Sequence, residues 1–178
     1  MRKVILKKMK ISLTIIIGVL CSISISYAQV LKPNSEVTAS HTTYKTQATS
    51  NTMSVRNKGN KLNQKMAGLE GENFDYNLTD KSSLIKCFRS VFSPQRLKQL
   101  LPEHRISISF YINASGKVLE TSFILNQNTL VTVNEIEELE NQIKNNVTFK
   151  VRPGALKESK FYIVIINVKF DKILTGIQ

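Results

Sequence analysis

Between Phe161 and Phe170 every second side chain is apolar, so Tyr162, Val164, Ile166, Val168 and Phe170 share one face of an extended strand. Phe161, Ile163 and Ile165 make the first half of the opposite face apolar as well, which calls for a place inside a sheet or at a covered edge. At about 1.5 to 3 kcal/mol per buried side chain, this segment is the principal hydrophobic contributor of any domain the chain builds. The rest of that domain has to supply a surface for it.

Upstream, Ile106, Ile108, Phe110 and Ile112 alternate with Ser107, Ser109 and Tyr111, the pattern of a half-buried strand. Asn113-Ala114-Ser115-Gly116 has turn chemistry, and Lys117 to Leu125 returns as a second strand, completing a hairpin. Thr132 and Glu135 are spaced as a capping box, with Val131 and Ile136 placed as a hydrophobic staple. Behind them Ile136, Leu139, Ile143 and Val147 form one helical stripe, and Glu135, Glu137, Glu138 and Glu140 fall to the solvent side. Asp80 is a cap for a short helix over 81 to 91, and Ser93-Pro94 starts another over 94 to 101 that Pro102 stops. The order implies an α+β domain over residues 73–178: a small antiparallel sheet of strand-strand-helix-strand form, with one helix packed on it and two short upstream helices.

The N-terminus reads as an address. Arg2, Lys3, Lys7, Lys8 and Lys10 precede an apolar stretch from Ile11 to Ile25, shorter than the roughly 18 residues of a membrane span, and Ser26-Tyr27-Ala28 ends it with small residues where a signal peptidase reads. Residues 1–28 are thus a signal peptide cleaved after Ala28, and export to the periplasm is the expectation, with secretion or membrane association as further destinations. Losing the five cations of the address lowers the formal net charge from +12 to +7. The remaining Lys and Arg are dispersed rather than clustered, so nucleic acid is not an expected partner. Residues 29–72 are rich in Ser, Thr, Asn, Gln and Lys and sparse in apolar groups, and read as a flexible polar leader. Cys87 is the one cysteine beyond the address, which excludes an internal disulfide and suits a small buried apolar residue.

Catalytic patterns are missing. His41 and His104 sit in unrelated contexts without metal-ligand spacing, and none of the seven glycines belongs to a phosphate loop, a dinucleotide fingerprint or a Gly-x-Ser-x-Gly elbow. No catalytic residue, metal site or cofactor is expected, and the chain is read as a non-enzyme.

Three stretches together resemble the C-terminal domain of the TonB energy-transducer family: the hairpin Ile106 to Val118, the helix exit Val147-Thr148-Phe149-Lys150-Val151-Arg152-Pro153, and the final strand ending Ile166-Asn167-Val168-Lys169-Phe170. The likeness covers Arg105 to Phe170. It implies binding of a protein or an extended peptide segment by strand addition at a sheet edge, with Phe161, Ile163, Ile165, Asn167 and Lys169 lining the contact. An outer-membrane receptor or a second copy of the chain, as a homodimer, fits that role. The alternative is a membrane-anchored transducer component whose N-terminal helix stays uncleaved, the one case in which the chain would contact a membrane.

Overall fold

The computed structural model describes residues 29–62, 77–151 and 161–176, so the signal-peptide reading of 1–28 lies outside the described residues. Strands β5 (Arg105–Ile112) and β6 (Val118–Asn126) form the expected hairpin, and β8 (Tyr162–Lys169) pairs antiparallel with β5 along its whole length, from Arg105 opposite Lys169 to Ile112 opposite Tyr162. At the hairpin turn the Asn113 side chain accepts hydrogen bonds from the Ser115 and Lys117 amides. Gly116 has φ 81°, and a Cβ there would stand 1.8 Å from the Phe149 carbonyl oxygen, so only glycine fits. That carbonyl belongs to β7 (Phe149–Lys150), which pairs with β4 (Asn77–Leu78) as a separate two-stranded sheet.

The helices form where their caps stand. Helix α1 (Lys81–Val91) starts on Asp80, whose side chain accepts from the Ser82 amide, and α2 (Pro94–Leu100) starts on Ser93, which accepts from the Arg96 amide. In α3 (Val133–Asn146) Thr132 and Glu135 make both hydrogen bonds of the capping box, and Arg96 clamps the same glutamate with Nε at 2.6 Å. A short α4 (Phe170–Thr175) ends the described chain. The inward faces of β5, β6 and β8 meet α1, α2, α3 and α4 in one core, in which Phe88, Phe92 and Phe170 lie 5.9 to 6.4 Å apart, ring to ring. Cys87 is buried in it, its thiol 3.4 Å from the Gln142 carbonyl and pushed up in pKa by burial. Among the described residues no helix is long and apolar enough to cross a membrane.

Two expectations are overturned. Most of the polar segment beyond the address is not a separate leader: β1 (Glu36–Thr38), β2 (Thr43–Thr49) and β3 (Thr52–Asn57) extend the sheet, among the described residues, to six strands in the order β1-β2-β3-β6-β5-β8, through pairing of Thr52–Arg56 with Ser122–Asn126. Apolar fraction was the wrong measure, because Val37, Tyr44, Met53 and Val55 alternate within these strands and add to the existing core instead of building their own. The remainder of the expected leader, 63–72, lies outside the described residues.

The glutamates of α3 are the second correction, for they do not all face solvent: Glu137 and Glu140 are 6% and 2% exposed. Glu137 accepts hydrogen bonds from the amides of Ser40 and His41, both at 3.0 Å, in the turn between β1 and β2. Glu140 accepts one from the Tyr44 hydroxyl at 2.5 Å and lies 2.8 Å from Lys144, which also meets Glu120 at 2.6 Å. Buried charge is tolerable only when paired in this way. The N-terminal strands bring the partners that make these carboxylates internal.

Two outcomes follow. Burial and then the Glu140 charge hold the Tyr44 hydroxyl far above its ordinary 10.0, so the folded protein keeps a proton the unfolded chain releases. That contribution is complete below pH 10.0 and is lost as the pH climbs above it, so a Tyr44→Phe variant should lose about 1.5 to 3 kcal/mol at neutral pH and show a flatter fall in stability above pH 10.0, read by denaturant titration across pH. Gly116→Ala should destabilise by at least about 2 kcal/mol, since it adds left-handed strain to a backbone clash, and an unchanged melting temperature would contradict the turn described.

Candidate functional site

Registers across the sheet set which side chains stand on its outward face. One row runs Lys45, Arg56, Ser122, Ser109 and Ile165; the next runs Gln47, Ser54, Ile124, Ser107 and Asn167. The serines of β5 and β6 form a low, half-accessible floor between taller neighbours. Above it Ile165 and Ile124 are exposed at 56% and 39%, two β-branched apolar groups on a face otherwise lined by polar and basic ones. Arg56 forms no ion pair among the described residues, while Lys45 shares Glu36 with Lys58.

The five residues expected to line a contact do not stand alike. Phe161 is buried at 2%, its ring 5.9 Å from that of Tyr111, which is also buried on the outward side. Burial lifts the Tyr111 hydroxyl in pKa, against the pull of Ser122 and Arg56. Phe161 therefore serves packing and is withdrawn from the contact set. Ile163 is half-buried, Ile165 is exposed, Asn167 is exposed and engages the Ser107 hydroxyl at 2.5 Å, and Lys169 is exposed at the end of β8. The strand itself is last in the sheet order among the described residues, not central.

Ile124, Ser107, Ser109, Ser122 and Arg56 belong to the same surface and were not singled out from sequence. The polar half of the β5 alternation was a signal for Ser107 and Ser109 alone, and alternation says which residues share a face without saying what crosses them on the next strand. His104 and Cys87 do not share a site: one is exposed before β5, the other buried under α3. Among the described residues no group of three His, Cys, Asp or Glu side chains is placed to hold a metal ion.

No family model matches the chain, and no curated protein does. A DUF5043 family protein from Bacteroides uniformis, known from a crystal structure, is similar in fold with a TM-score of 0.65 at 16% sequence identity. The similarity covers 80% of this chain and 89% of that one, so it reaches well beyond the stretch from Arg105 to Phe170. At that identity the likeness concerns the fold alone.

Packing and exposure separate the two roles on this face. Phe161→Ala should cost about 3 to 5 kcal/mol, whereas Ile165→Ala should change stability by less than about 0.5 kcal/mol, both read by chemical denaturation. Similar losses for the two variants would mean that Ile165 is a packing residue.

Proposed function

We propose that this chain is an exported, non-enzymatic binding module that receives an extended segment of a partner protein at the β8 side of its sheet. The observation that carries the reading is the pairing of exposed Ile165 and Ile124 across a floor of Ser107, Ser109 and Ser122. Small side chains let a backbone approach closely, and the two isoleucines offer apolar contact on either side of it. Ile163 and Asn167 extend that contact along β8.

The rim favours one class of segment. Arg56, Arg105 and Lys169 border the face without an acidic partner among the described residues, and Lys45 shares its own. An extended segment carrying β-branched residues and acidic ones complements both features, whereas a basic one is repelled.

A photo-reactive amino acid placed at position 165 of the exported protein should cross-link to a partner polypeptide in the cell envelope. The double variant Ile165→Lys and Ile124→Lys should lower retention of that polypeptide by tenfold or more, about 1.4 kcal/mol, while its melting temperature moves little. Retention unchanged in the folded double variant would refute docking on this face.

A further inference from the structure

One corner of the described structure combines three local features that work against stability. Arg105 and Lys169 stand directly opposite each other at the end of the β5–β8 ladder, a spacing of about 5 Å between Cα atoms. Like charges in that arrangement repel, and neither side chain has an acidic partner within ion-pair distance among the described residues. His104, the residue before β5, holds φ 60° and ψ −55°, near the γ-turn of positive φ that non-glycine residues rarely adopt.

These residues line a hollow of about 640 Å³ with Leu101, Glu103 and Asp171. Glu103 is already committed, accepting 2.5 Å hydrogen bonds from the Thr129 hydroxyl and the Leu130 amide. Asp171 lines the hollow without pairing with either cation. Leu101 keeps 36% exposure beside them. Repulsion between neighbouring strands and strain in the adjoining turn are where a fold departs from local consistency, and such departures gather at sites that act on something else.

We propose that the Arg105–Lys169 corner is a carboxylate anchor: it takes a Glu or Asp side chain at one end of the segment docked on the sheet, and so sets the register and direction of that segment. The inference rests on the docking reading above and deepens it. The Arg105 guanidinium supplies a planar pair of donors and the Lys169 ammonium a point charge, a combination suited to one carboxylate entering between them. Its arrival turns a repulsive pair into a bridged one. Asp171, the remaining carboxylate of the hollow, opposes the guest and limits how tightly it is held.

Two synthetic peptides of alternating valine and threonine, amidated at the C-terminus, test this when titrated into the exported, full chain and followed by amide chemical shifts. One ends in two glutamates and the other in two glutamines. The glutamate peptide should bind about tenfold more tightly at low salt, with shifts reaching Arg105 and Lys169, and the difference should vanish in the Arg105→Ser, Lys169→Thr double variant. That variant should melt no lower than the natural chain, because it loses a like-charge pair, and Asp171→Asn should tighten the glutamate peptide severalfold. Equal affinities for the two peptides would overturn the anchor and leave docking standing. Binding of neither would remove docking and the anchor together. A difference that survives in the double variant would overturn the assignment to a side-chain carboxylate at this corner.

Discussion

Strand β5 is hydrogen-bonded on both of its edges, to β6 on one side and to β8 on the other, and everything else is placed relative to it. Its inward residues Ile106, Ile108, Phe110 and Ile112 are completely buried and define the floor on which the helices pack. Its outward residues Ser107 and Ser109 are small, and that difference between faces divides the molecule into a packed side and a contact side. A one-residue slip in pairing would exchange the two, so the register is held by the burial of one face.

The second determinant is polar. Helix α3 spends its glutamates on backbone and hydroxyl donors: Glu135 on the capping box and Arg96, Glu137 on the amides of Ser40 and His41, Glu140 on Tyr44 and Lys144. Glu137 and Glu140 would be costly to bury alone, and each is buried with a donor already aimed at it, while Glu135 stays half-buried. Strands β1 to β3 are thus held by main-chain pairing to β6, by the apolar side of Tyr44, Met53 and Val55, and by these charge-assisted hydrogen bonds to the helix.

Much of the fold was legible because it is local. The caps at Asp80, Ser93 and Thr132, the turn at Gly116 and the alternation of β5 each depend on residues within a few positions of one another. The strands of the N-terminal segment were not legible from their composition, since Thr, Lys and Gln in Thr43–Thr49 look like a solvated stretch until Tyr44 is given a core to enter and Glu140 a hydroxyl to meet. Glu137 and Glu140 belong with those strands: helical spacing sets them on the flank of the apolar stripe, Glu140 one turn on from Ile136, and only a second layer of chain covers that flank. The family resemblance implies a contact role for Phe161, yet its ring lies buried against that of Tyr111 on the neighbouring strand.

The amino-acid order by itself determined the periodicities, the caps, the glycine-dependent hairpin turn and the apolar face of the last strand, because these follow from steric and hydrogen-bonding rules acting over a few residues. Tertiary structure alone decided that β3 pairs with β6, that β8 stands last in the order among the described residues, that Arg105 faces Lys169, and that Ile165 and Ile124 rise over serines. Those outcomes depend on which strands become neighbours. Such pairing is chosen by burial and closure across long stretches of chain, and no short window of sequence contains both partners.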